Sequence, residues 1–198
     1  MMTDEPALIL IVDDDFDFLE LNRLILERAG YRVTTAADPR QALRAMAQEK
    51  PALELRQYFD GTLIGHGLFM DRSGQVQRRF VVTIKATWSG EVGTLDEDFV
   101  WSDGEKEKRI WTLRPVPGQP GRWSGTAADV KGEASGVVAG NALNWSYTFL
   151  LKTREGKRYE IDFDDWMFLV DEKVMLNRAV MSFWGFKVGE VLVSFTRK

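Results

Sequence analysis

Asn141-Ala142-Leu143-Asn144-Trp145-Ser146-Tyr147-Thr148-Phe149 alternates apolar and small polar side chains along its length. Successive side chains of an extended strand point to opposite faces, so Leu143, Trp145, Tyr147 and Phe149 share one face and Asn144, Ser146 and Thr148 the other. The same parity holds upstream, where Val76, Arg78, Phe80, Val82, Ile84 and Ala86 occupy one side of a long β-prone run that Gly90 breaks. Further β-prone runs are predicted at about 92–101, 107–114, 121–128, 131–139, 142–153, 157–164, 166–170, 174–184 and 187–197. Asp103-Gly104, Pro117-Gly118, Pro120-Gly121, Glu155-Gly156 and Asp171-Glu172 separate them with turn chemistry. Many strands joined by frequent turns predict an antiparallel barrel or sandwich from about Leu55 onward.

The first fifty residues follow another pattern. Ala7 to Val12 is an unbroken apolar run closed by Asp13-Asp14-Asp15, as in a buried parallel strand. Leu19, Leu21, Leu24, Ile25 and Leu26 recur at near-helical spacing, with Asp15 and Asp17 at the start and Gly30 as the stop. A second strand is predicted over 31–36, and Asp38-Pro39 then supplies an N-cap and a first-turn proline before Ala42, Leu43, Ala45 and Met46. The order is βαβα. Charge divides at the same place: residues 1–51 carry ten acidic and six basic side chains, and residues 52–198 twenty of each, so the net −4 belongs to the first segment. All seven Trp lie in the second. We therefore expect two parts, residues 1–52 and 53–198.

Composition excludes several roles. Hydrophobic residues make up 44% of the 198, enough for a sizeable core. The basic residues form no concentrated patch, which argues against a nucleic-acid surface. The absence of cysteine excludes disulfides, thiolate metal sites and cysteine acylation. With no run of about 18 apolar residues and no basic-apolar leader, we expect no transmembrane segment and, for the chain as written, a cytoplasmic location.

Residues 7–51 resemble the first half of a response-regulator receiver domain. In that family the acidic pair matched by Asp13 and Asp14 helps hold magnesium, a hard cation suited to oxygen ligands. The phosphorylated aspartate of that family falls where this chain has Gln57, and Asp60 reads as a turn residue in Tyr58-Phe59-Asp60-Gly61. The resemblance thus implies a receiver fragment that does not carry out phosphotransfer, with magnesium at Asp13 and Asp14 as the one cofactor to consider.

Residues 53–198 resemble the bacterial family known as domain of unknown function 3833. The strings that carry this are Leu-Arg-Gln-Tyr-Phe-Asp-Gly at 55–61, Gly-Thr-Leu-Asp-Glu-Asp-Phe at 93–99, Ser-Asp-Gly-Glu-Lys at 102–106, Gly-Asn-Ala-Leu-Asn-Trp at 140–145, Asp-Phe-Asp-Asp-Trp-Met at 162–167 and Val-Met-Leu-Asn-Arg at 174–178. The resemblance implies a lipocalin-like β-barrel, many relatives that look like envelope lipoproteins, and gene neighbourhoods that suggest a lipid or other hydrophobic small molecule as partner. The expected fold class is α+β overall, a mainly antiparallel barrel preceded by the βαβα fragment.

Candidate site residues follow from chemistry. Asp162, Asp164, Asp165, Trp166, Asn177 and Arg178, with Asp96, Glu97 and Asp98, form the densest polar constellation. Two carboxylates on one strand face, with an arginine able to pair bidentately, suit an anchor, an acid–base pair or an ion pair that fixes register. His66 is the single histidine, which excludes a multi-histidine metal site but allows a proton carrier or a satisfied strand residue. The tryptophans either line a cavity or fill the barrel. We expect Asp162, Asp164, Arg178, Trp145, Trp166 and His66 to contact the ligand, with no catalytic residue assigned. Three functions stay open: a hydrophobic-ligand binding module, an enzyme working on such a ligand through the Asp cluster, and a two-component signalling protein with a degenerate receiver.

Overall fold

The computed structural model describes residues 8–47, 49–153 and 156–198. The chain divides into two compact units, Met1–Glu49 and Lys50–Lys198.

In the first unit, β1 (Leu8–Val12) pairs in parallel with β2 (Arg32–Ala36), and α1 (Phe16–Arg28) and α2 (Pro39–Met46) follow the two strands. Both helices start where the sequence places their acidic residues, and both Asp15 and Asp38 act as caps. The Asp15 carboxylate accepts the Asp17 and Phe18 amides, and Asp38 Oδ1 accepts the Gln41 amide at 2.8 Å. Helix α1 stops before Gly30, whose φ of +90° suits glycine. Two strands cover little apolar surface, and Phe16, Phe18, Leu21, Leu24 and Ile25 of α1 stay exposed while Leu19 is buried.

The second unit opens with a short helix, α3 (Leu55–Tyr58), where strand is expected from Leu55. Ten strands then run up and down: β3 (Gly61–Asp71), β4 (Val76–Ser89), β5 (Val92–Trp101), β6 (Lys106–Pro115), β7 (Arg122–Thr126), β8 (Ala134–Ala139), β9 (Ala142–Lys152), β10 (Arg158–Leu169), β11 (Val174–Phe183) and β12 (Phe186–Arg197). Each pairs antiparallel with its sequence neighbour, and β12 pairs with β3, which closes the barrel and leaves no free edge. One sequence expectation changes here. The runs at 157–164 and 166–170 form a single strand, β10, because the acidic pair Asp164-Asp165 is accommodated in a continuous ladder with β9 and β11.

The inner face holds the core, including Leu63, Phe80, Val82, Ile84, Leu95, Trp111, Leu143, Trp145 and Met175. Inward glycines make room for its large rings. A Cβ at Gly136 would sit 2.4 Å from Trp145, and one at Gly67 would sit 2.2 Å from Phe80. The segment carrying α3 closes one end. Leu53, Leu55, Tyr58 and Phe59 are buried there, the Leu53 amide donates to the Gly140 carbonyl at 2.7 Å, and Trp88 Nε1 donates to the Phe59 carbonyl at 2.5 Å. The Tyr58 hydroxyl donates toward the Lys173 and Phe195 carbonyls at 3.2 and 3.4 Å, so this segment is tied to several strands at once.

Candidate functional site

The barrel encloses a cavity of about 390 Å³, within the range of about 300–1,000 Å³ usual for small-molecule sites. Leu55 and Phe59 form its floor at the closed end. Its walls are the inward parity of the strands: Phe80, Val82 and Ile84 from β4, Leu95 and Phe99 from β5, Trp111 and Leu113 from β6, Leu143, Trp145 and Tyr147 from β9, and Val191, Val193 and Phe195 from β12. Trp111 meets both Trp145 and Tyr147 edge-on, at ring separations of 5.8 and 5.3 Å. Toward the other end the lining reaches Arg78, Trp101, Glu107 and Leu151, and the exposure of Glu107 and Leu151 makes this the mouth. Arg78 stacks 4.0 Å over the Trp101 ring and is held by Asp103 and Glu105, each at 2.9 Å.

Within this apolar wall stands a polar group of four: Glu97 on β5, Arg109 on β6, Tyr147 on β9 and Asp165 on β10. Glu97 and Arg109 are direct cross-strand partners. Arg109 nevertheless turns its Nε to Asp129 Oδ2 at 2.8 Å, in the loop between β7 and β8, while its guanidinium lies 5.0 Å from the Phe149 ring centre. Glu97 is buried in the cavity wall, and Asp165 Oδ1 is buried with no partner. Desolvation dominates the ionisation of both acids. It pushes Glu97 up to about 7, with Arg109 opposing and Asp129 and Asp96 adding. Asp165 is raised well above the ordinary carboxylate range by burial first and by the Asp164 charge second, against the pull of Arg109. Burial and Asp165 likewise raise Tyr147. Arg109 is raised: burial is the largest influence and opposes this, but Tyr147, Glu97 and Asp129 together outweigh it.

This barrel, with a floor at one end and acids set inside it, can be compared with known proteins. The model of "Protein of unknown function (DUF3833)" matches residues 33–197. The chain belongs to the DUF3833 family. The match begins inside β2, earlier than the residue 53 expected from the sequence strings. It brings no receiver domain with it, so what stands before the barrel is a strand–helix–strand–helix unit. No curated protein matches the chain. Among solved structures, an S-type phycobiliprotein lyase, CPES, from Guillardia theta is 8% identical with a TM-score of 0.57, over 74% of this chain and 93% of that one. A protein of unknown function from the DUF3598 family of Nostoc punctiforme is 13% identical with a TM-score of 0.48, over 76% of this chain and 51% of that one. The first likeness is one of fold.

The DUF3833 barrel distributes the residues expected from sequence in two directions. Trp145 lines the cavity. Asp162 and Asp164 do share a face of β10, but it is the outer one: Asp162 Oδ1 accepts from Thr148 at 2.8 Å and Asp164 Oδ1 from Asn144 at 2.6 Å. Arg178, also outward, pairs with Glu190 at 2.5 Å instead of an aspartate. Trp166 stacks on Phe168 on the same outer face, and His66 is exposed on β3. These five therefore stand outside the cavity, because the inward parity of β10 belongs to Ile161, Phe163, Asp165, Met167 and Leu169, and that of β3 to Leu63, Gly65 and Gly67. The apolar parity of β10 was the available signal for Asp165, and it is visible only when 158–169 is read as one strand. Of the other tryptophans, Trp101 and Trp111 line the cavity, Trp88 and Trp123 pack edge-on 5.9 Å apart, and Trp184 stands exposed in the β11–β12 turn. In the first unit Asp13 Oδ1 accepts the Asp15 amide at 2.9 Å, and no cluster of three or more acids or histidines suited to a metal occurs among the described residues. Nor is any described helix long and apolar enough to cross a membrane.

Proposed function

We propose that this barrel is a binding module for a hydrophobic small molecule, held between the aromatic walls with a polar end against Glu97, Arg109, Tyr147 and Asp165. One observation carries the reading: the closed barrel keeps open a cavity of about 390 Å³ lined mainly by apolar and aromatic side chains. Apolar walls with a few convergent polar groups are the usual composition of a ligand site. The likeness in fold to a phycobiliprotein lyase agrees with such a use of the interior without naming a ligand for this chain.

Titration with Nile red, an uncharged environment-sensitive fluorophore, tests it. Saturable emission at one dye per chain is expected, with quenching of tryptophan. Ala179, buried on β11 against the cavity, offers the control, since Ala179→Phe fills the space. Equal dye binding by a folded Ala179→Phe protein sinks the proposal.

A second reading has its own support. Glu97, at about 7 and facing the cavity, has the ionisation of a general acid or base at neutral pH. If the barrel transforms what it holds, molecules co-purifying with Glu97→Gln will differ in mass from those extracted from the unaltered protein. The βαβα unit we read as the remnant of a receiver domain, a reading supported by its parallel strand pair and by Asp13 and Asp14 at the carboxyl end of β1, where magnesium would bind. Magnesium titration of Asp13→Ala checks this, and unchanged affinity counts against it.

A further inference from the structure

The polar group within the cavity wall has an imbalance that bears on what the cavity holds. Three carboxyl groups, those of Glu97, Asp129 and Asp165, are in electrostatic range of a single guanidinium, that of Arg109. Arg109 already spends its Nε on Asp129. The cavity's other arginine, Arg78, is held at the mouth by Asp103 and Glu105. Meanwhile Asp165 Oδ1 lies buried with no donor, and Glu97, buried in the same cavity wall, has the charge of Arg109 to oppose its desolvation. A buried acceptor without a donor is costly, so the ligand that fits best is one that supplies the missing donor.

We propose that the cavity takes an apolar molecule carrying a nitrogen donor group, a protonated amine or an N–H-rich head, which donates to Asp165 Oδ1 and to the Glu97 carboxylate. This rests on the binding-module reading above and names its ligand class. An alkyl carboxylate, the head group of a free fatty acid, meets a less favourable environment beside Glu97 and Asp165: it brings a further anion among three acids, next to an Arg109 whose Nε is already bonded to Asp129. A protonated amine replaces the proton that burial otherwise keeps on Asp165, and the ion pair so formed is shielded from water by the aromatic walls.

Three probes of one chain length separate the possibilities: dodecylamine, dodecanol and dodecanoate, titrated into the full chain at pH 7.5 by calorimetry or tryptophan fluorescence. The amine is expected to bind at least about tenfold tighter than the alcohol, and the carboxylate no tighter than the alcohol. Asp165→Asn and, separately, Glu97→Gln are expected to reduce the amine's advantage at least fivefold while dodecanol affinity stays within twofold. The two variants also guard against the chance that one fails to fold, which near-ultraviolet circular dichroism reports. A carboxylate that equals or exceeds the amine overturns the proposal, as does an amine preference that survives both substitutions, since that preference then belongs to the acidic surface. If dodecanol binds and the amine does no better, the ligand class is wrong and the module stands. If none of the three binds, the binding-module reading falls with it.

Discussion

The burial of Glu97 makes the stability of the barrel depend on pH in a direction opposite to that of a salt-bridged carboxylate. Its carboxyl is raised from an ordinary 4.5 to about 7, chiefly by desolvation. A group that holds its proton more tightly folded than unfolded stabilises the fold fully below its unfolded pKa. That contribution is lost as pH rises through the folded value. The shift of about 2.5 units, at about 1.36 kcal/mol per unit, corresponds to about 3 kcal/mol lost between pH 4.5 and a little above 7. Four charged groups bear on the same window: Arg109, which lowers Glu97, Asp129 and Asp96, which raise it, and Asp165, whose own raised carboxyl titrates with the same sign. Glu97→Gln keeps the size and removes the proton, so comparison with the unaltered protein isolates Glu97. Urea unfolding at pH 5 and pH 8 is the assay. The unaltered protein is expected to lose about 2.5 kcal/mol more than Glu97→Gln between the two, since part of the contribution is already gone at pH 5. Parallel losses in the two proteins refute the reasoning and mean that water reaches Glu97 in the folded state.

Other consequences are equally open to measurement. Gly136→Val places new atoms against Trp145, whose ring lies 2.4 Å from the built Cβ, and overpacking of this kind costs about 1–3 kcal/mol; a denaturation midpoint equal to that of the unaltered protein argues against the tight contact. Trp184 holds a φ of +52° in the β11–β12 turn, followed by Gly185 at +79°, a turn that suits Asn-Gly. Trp184→Asn is therefore expected to raise stability by about 1 kcal/mol, read from the thermal midpoint. Tyr58→Phe removes the hydroxyl that ties the closing segment to the Lys173 and Phe195 carbonyls, and amide exchange near Leu53 and Tyr58 should quicken while the strands stay protected. Asp164→Asn and Arg178→Ala, on the outer face, are expected to leave Nile red affinity within twofold, and a larger loss places the binding surface outside the barrel.

Much of this arrangement was legible in local chemistry. The helix start at Asp15, the cap at Asp38, the stop at Gly30 and the turns at Asp103-Gly104, Pro117-Gly118 and Asp171-Glu172 depend on neighbours in sequence, and they appear where the sequence puts them, while Glu155 of the expected Glu155-Gly156 turn lies outside the described residues. The face shared by Leu143, Trp145, Tyr147 and Phe149 was equally plain, because a period of two needs only an extended backbone. The family strings pointed to a barrel, and the structure shows it closed, with ten strands. The structure differs at two places. Leu55–Tyr58 forms a helical turn in a segment too short to show a period, and Asp165, which the sequence leaves between the runs 157–164 and 166–170, lies within one continuous strand, although aspartate is depleted in strands.

The site itself depended on more. Sequence alone places Glu97, Asp162, Asp164 and Arg178 on strands, with Asp162 and Asp164 on one face, and leaves Asp165 between two runs. It could not say which face closes inward, since a register moved by one residue exchanges the two sides of a strand. The pairing of Asp165 with Trp145 on one side and Ala179 on the other decided that, turning Asp165 into the cavity and its neighbours outward. The partner of Arg109 was decided in the same way, because Asp129 comes from a loop twenty residues further along the chain that the closed barrel brings beside β6. Alternation is a property of the backbone of one strand, whereas burial, and with it the raised pKa of Glu97 and of Asp165, exists only once ten strands have closed around a space.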